Sequence, residues 1–211
     1  MKLSYSSLLV TVLLGHASAL KAPMERYGVI IPEWEVEVTP GGHKTVLRGT
    51  VEEVHEELRK LNPDYDEQFI NNSTASELSE RDSDTDLVRR TDFSGSKYHC
   101  RGWLKTCKTW AIRSGIETLR HVKGKPKNGP GPGNCGRVSC SYNSAIWWCN
   151  QNAETKELDS FSDIADGAAF VVEKCYKPDS LPHYPGQENR ISGYAHHRGE
   201  GWSVIVNHDQ C

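Results

Sequence analysis

The chain has 211 residues, 25 Lys and Arg against 28 Asp and Glu, and a formal net charge of −3. That length suits one domain with added segments rather than two large domains. No apolar stretch beyond the N-terminus approaches the roughly 20 residues of a membrane-spanning helix, which excludes an integral membrane protein.

Met1 to Ala19 reads as a secretory signal: Lys2 makes a short positive start, Leu8 to Leu14 an apolar core, and Ala17-Ser18-Ala19 a small-x-small cleavage site, with the cut after Ala19. Residues 20–90 follow with 9 basic and 16 acidic side chains, a net of −7, and no cysteine. Trp34 to Val38 alternates apolar and polar like a half-buried strand, Pro40-Gly41-Gly42 is a turn, and Thr45 to Leu47 is a return strand. Thr50 and Glu53 have capping-box spacing ahead of Val51, Val54, Leu58 and Leu61 at helical intervals, and Asn62-Pro63 stops that helix. A hairpin and one helix are too little to bury a core alone.

From Asn71 to Asp86 the chain turns polar, and a disordered linker is expected near 71–88 because such a composition cannot offset its ordering entropy by apolar burial. It ends in the dibasic pair Arg89-Arg90, at the boundary between an acidic, cysteine-free region and a basic, cysteine-rich one. A processing protease that binds extended chain would cut after Arg90, making 20–90 an acidic pro-segment and 91–211 the mature domain. Asn71 and Asn72 both open N-glycosylation sequons, and residues 91–211 contain none.

Residues 91–211 carry 15 basic and 12 acidic side chains, a net of +3, and all seven cysteines. In an exported chain that density implies disulfides. The expected order is a strand at 96–100, a helix at 106–122, and a Gly- and Pro-rich loop at 124–136. A hairpin at 137–150, a helix at 160–175 opened by Ser160 and Asp163, and a closing hairpin at 191–207 complete it. This pattern predicts an α+β, two-layer sandwich: a mostly antiparallel sheet with two helices on one face, stapled by disulfides. Gly115 and Gly167 lie mid-helix, where glycine costs about 1 kcal/mol against Ala, so close helix packing is the expected compensation. A two-residue turn at Asn143-Ser144 would set Cys140 opposite Trp147 and Cys149 opposite Val138, leaving the two cysteines roughly 7–8 Å apart on a diagonal. Each should then bond elsewhere. Cys100, Cys135, Cys140, Cys149, Cys175 and Cys211 are the disulfide candidates, and Cys107 is the candidate free thiol. A monomer is expected unless the odd cysteine pairs between chains.

The run from Cys135 to Asn150, the phrases Ser114 to Leu119 and Ile164 to Ala168, and the ending Trp202 to Val206 with Cys211 resemble blocks in small secreted cysteine-rich proteins of filamentous fungi. Residues 34–64 resemble the pro-regions of such proteins, and the layout of 91–211 is similar to the α/β-sandwich killer toxins and killer-toxin-like effectors. Cys107 is additional to that pattern. The resemblance implies a fungal source and an effector-like or toxin-like role in virulence, and carries over no catalytic residue.

No nucleotide loop, zinc spacing or nucleophile elbow occurs, so no catalytic residue, cofactor or metal is assigned. His196, His197, Arg198 and Glu200 cluster at one hairpin tip, as a small secreted ribonuclease would need, yet adjacent strand residues point to opposite faces. Lys123, Lys125 and Lys127 form a basic loop, but a net of +3 is too small to argue for nucleic acid. Trp147, Trp148, Trp202 and Tyr194 are candidates for an aromatic binding face. The expected activity is extracellular binding to a host protein, cell-wall glycan or membrane surface. The alternatives are a ribonuclease-like hydrolase or a carbohydrate-binding protein.

Overall fold

The computed structural model describes residues 20–71, 90–176 and 189–211. The expected signal segment with Ala19, the sequon at Asn72, Arg89 and the expected linker from 72 onward lie outside the described residues. Arg90 is exposed, and Asn71 closes a π-helical turn at Glu67–Asn71.

The strands are β1 (Gly28–Ile30), β2 (Glu33–Glu37), β3 (Lys44–Arg48), β4 (Lys97–Cys100), β5 (Cys107–Lys108), β6 (Lys127–Asn128), β7 (Asn134–Ser141), β8 (Ser144–Asn150), β9 (Lys156–Glu157), β10 (Arg190–Ile191), β11 (Gly193–His196) and β12 (Trp202–Asn207). The helices are α1 (Val51–Leu61), α2 (Thr109–His121) and α3 (Phe161–Cys175). The main sheet runs β1-β7-β8-β12-β11-β4. Its pairings are antiparallel except β1 with β7. The α+β sandwich expected from the sequence is therefore the fold, with α2 and α3 on one face of the sheet.

Both expected capping boxes form. Thr50 and Glu53 exchange hydrogen bonds at the start of α1, and Asp163 accepts from the Ser160 amide at 3.1 Å at the start of α3. Helix α2 starts at Thr109 rather than Thr106 because Cys107 and Lys108 pair with β10. The mid-helix glycines meet the sheet rather than each other. A Cβ on Gly115 would lie 2.4 Å from Ser139 Oγ, and one on Gly167 would lie 2.6 Å from a Val204 methyl and 2.7 Å from the Phe93 ring. Any side chain there would lift the helix off the strands.

The β7–β8 hairpin corrects the expected register. Its turn residues are Tyr142 and Asn143, with φ of +50° and +56°, the left-handed pair that matches strand twist. Cys140 thus opposes Ala145, and a bulge between Arg137 and Ser139 brings Cys135 opposite Cys149. The extra residue in one strand changes which side chains face each other.

Residues 20–71 are built into the same body. Strand β1 extends the main sheet. Strand β2 pairs with β3 and, through Glu33 and Lys127, with β6. Trp34, Val51, Val54 and Leu58 share one buried cluster with Ile112, Leu119, Phe161 and Ile164. Leu61, expected on the apolar face of α1, is 52% exposed.

Candidate functional site

Alternation along the strands sorts the main sheet into two faces. Val138, Ile146, Trp148, Ala195, Trp202 and Val204 join the core that includes residues of α2 and α3. Cys135, Cys140, Ala145, Trp147, Cys149 and Ile205 form a second cluster, joined by Ala22 and Leu104 and flanked by Met24, Tyr27, Val29 and Tyr194. Trp147 and Trp148 do point to opposite sides, but Trp147, Trp148 and Trp202 are each 1% exposed or less. They are core, and of the four aromatic residues proposed for a binding face only Tyr194 reaches the surface.

Tyr194 reaches a different partner set. Where the residues at 20–29 stop, the second face of the sheet is open over β4 and β11. His99 and Tyr194 are register partners there, with ring centroids 5.8 Å apart and planes 27° apart. Trp103 lies 6.1 Å from His99 at 17° and 5.7 Å from Tyr194. His196 closes the row 4.9 Å from Tyr194. Trp103 is 58% exposed, and its indole N–H points to the Pro23 carbonyl at 3.5 Å. Gln151 sits between His196 Nδ1 (3.0 Å) and Ser203 Oγ (3.4 Å). Burial, with Lys97 beside it, pushes His196 below the ordinary histidine value, which favours the neutral ring. The result is a shelf of rings with a polar margin, near-parallel at His99, tilted by 40° between Trp103 and Tyr194 and edge-on at His196, anchored where the Cys100–Cys175 disulfide ties β4 to the end of α3. Such a surface binds by stacking. Trp103 and His99 were missed from sequence because Trp103 lies in an irregular stretch beside Gly102, without periodicity. A smaller exposed aromatic pair, Trp110 and Tyr142, lies 4.6 Å apart elsewhere.

The tip histidines diverge, and the nearest approach to the tip carboxylate, His197 Nδ1 to Glu200 Oε1 at 3.9 Å, is longer than a hydrogen bond. His196 faces the shelf, whereas His197 stacks on Trp202 at 4.8 Å and meets Phe93 edge-on. Glu200 is engaged by Lys156 at 2.7 Å and by the Trp202 indole N–H at 3.2 Å. The Lys156 hydrogen bond, above all, holds its carboxyl below the ordinary value. Two of the three lysines of the basic loop are paired: Lys125 with Asp159 at 3.4 Å and Lys127 with Glu157 at 3.2 Å, while Lys123 is exposed. The two paired lysines line a groove of about 620 Å³ with Glu33, Glu35, Lys44 and Glu157, a mixed-sign surface.

All six candidate cysteines are bonded. Cys100 joins Cys175, Cys135 joins Cys149 across the hairpin with Cα atoms 4.0 Å apart, and Cys140 joins Cys211. Cys107 is the free thiol. It is fully buried, lies 3.2 Å from the Ile191 carbonyl, and burial pushes its thiol up to about 12. A buried neutral thiol is neither a nucleophile nor a handle for a second chain. Among the described residues, no group of three or more His, Cys, Asp or Glu is placed to hold a metal, and no helix is long and apolar enough to cross a membrane. No family model, curated protein or solved structure matches the chain.

Proposed function

We propose that this is a secreted fungal effector-like or toxin-like protein that acts outside the cell by binding rather than by catalysis. The observation that carries the reading is the exposed Trp103–His99–Tyr194 shelf on a disulfide-stapled sheet. Rings that are held in place before contact lose little freedom on binding, so stacking on them is efficient. Three disulfides are compatible with an oxidising destination, and the N-terminal apolar segment supplies the export signal. The partly exposed polar margin of Gln151 and His196 lends weight to a second reading, a cell-wall carbohydrate as ligand, because sugars offer both a C–H face and hydroxyls.

The test is pulldown on chitin and glucan beside an RNA-cleavage assay, with wild type and Trp103→Ala. Retention on glycan that weakens at least tenfold in the variant supports the carbohydrate reading. Binding to neither glycan, with no RNA cleavage, points to a protein or membrane target. Turnover of RNA would overturn the binding reading.

A further inference from the structure

The acidic segment grips the rest of the chain from several sides. On the helix side, Trp34 is fully buried and stacks on Phe161 with ring centroids 3.7 Å apart and planes 7° apart. Its indole N–H donates to the Gly49 carbonyl at 2.9 Å. From α1, Glu52 accepts from Ser139 Oγ at 2.5 Å and from the Cys140 amide at 3.0 Å. On the other face, Ala22, Met24, Tyr27 and Val29 pack with Trp147 and the Cys135–Cys149 bridge. Strand β1 pairs alongside β7 over Gly28 to Ile30. A segment that only masked a finished domain would rest on a surface. This one supplies parts of the core on both faces of the sheet, yet residues 20–90 contain no cysteine and so no disulfide tether.

The far side of the dibasic site is equally organised. The Thr91 amide donates to Asp166 Oδ2 at 2.9 Å, and the Thr91 hydroxyl donates to Asp163. Arg120 of α2 donates to Asp166 Oδ1 at 2.9 Å. The Asp166 side chain is only 9% exposed. The Thr91 amide and hydroxyl are thus held by two carboxylates of α3, one of them also bound to Arg120.

We propose that cleavage after Arg90 does not release the acidic segment. Water adds across the Arg90–Thr91 peptide bond under a dibasic-specific protease, leaving a carboxylate on Arg90 and an α-ammonium on Thr91. The ammonium takes the place of the amide on Asp166 as a salt bridge in a sheltered site. Residues 20–71 stay as a non-covalent subunit, and the acting form is a two-chain protein. The proposal rests on the processing reading, and the experiment separates the two.

The secreted protein is treated with a dibasic-specific protease and followed by denaturing mass analysis and by native size exclusion at micromolar concentration. The expected result is two polypeptides by mass, one with Thr91 at its N-terminus, that co-elute one to one. Separation of the pieces under native conditions overturns retention. Resistance of the native chain at Arg90 overturns the processing reading instead. Retention is then read on a chain carrying an unrelated protease site between residues 72 and 89, where separation again defeats it. Asp166→Asn tests the seat: it should lower the melting temperature of the cut protein by several degrees more than that of the uncut protein. Equal shifts in both forms would remove Asp166 as the partner of the new terminus.

Discussion

Replacing Trp34 with Ala is the sharpest probe of how the N-terminal segment contributes. The side chain is wholly buried, and its loss removes the stack on Phe161 and a hydrogen bond to Gly49. Large aromatic-to-alanine changes in cores cost about 3–5 kcal/mol, because a cavity remains where the ring was. A central figure of about 4 kcal/mol, with a urea dependence of about 2 kcal/mol per molar, lowers the unfolding midpoint by about 2 M. Trp34→Phe keeps a ring over Phe161 and loses the N–H, so its cost should be nearer 1–2 kcal/mol, the scale of one hydrogen bond and a smaller ring. In the cut protein the same 4 kcal/mol appears as dissociation, weakening the hold between the pieces by about a thousandfold. The assay is urea unfolding by tryptophan fluorescence and far-UV dichroism together, with disulfides intact. A shift worth less than about 1 kcal/mol, or an early fluorescence transition that leaves the rest folded, would show that the segment unfolds independently and refute the reasoning.

Three further outcomes are expected. Glu52→Ala strands the Ser139 hydroxyl and the Cys140 amide in a largely buried site, and should cost about 1–3 kcal/mol in the same urea assay. Cys107 should resist thiol reagents in the native protein and titrate as one thiol per chain in denaturant; rapid native labelling would contradict its burial. The cut protein should show a pH dependence that the uncut chain lacks. Its new α-amino group, with an ordinary value of about 7.7–8.0, faces Asp163, Asp166, Glu173 and Lys174 of α3 and Arg120 of α2, with Asp92 following in sequence. Carboxylates raise an amine. Its stabilisation is therefore complete below about pH 7.7 and is lost as pH rises through the raised value. Melting temperatures of cut and uncut protein that run parallel from pH 7 to 10 would contradict it.

Local signals carried far into this fold. Thr50 with Glu53 and Ser160 with Asp163 marked two helix starts because a cap is a matter of a few adjacent atoms. The alternation around Trp147 and Trp148 correctly sent them to opposite faces. What adjacent residues could not show was what covers each face. The second face is closed in part by Ala22, Met24 and Tyr27, more than a hundred residues away in sequence, so Trp147 is core and not a binding surface. A turn one residue earlier than expected gave Cys140 a different partner, and one bulged residue between Arg137 and Ser139 then set Cys149 opposite Cys135. The ring shelf escaped notice for the same reason: Trp103 and Tyr194 meet only through the pairing of β4 with β11. The basic look of Lys125 and Lys127 vanished once Asp159 and Glu157 were brought beside them.

The parallel pairing of β1 with β7 also bears on aggregation. Without β1, the β7 backbone would present a row of unsatisfied N–H and C=O groups to solvent, a ready template for another chain. The opposite flank, β4, carries the exposed Lys97, and a charge there discourages such growth. A free 91–211 polypeptide would thus be sticky on one flank and guarded on the other. Its fate in isolation would be set by intermolecular strand addition, with clumping rather than loss of disulfides as the visible failure.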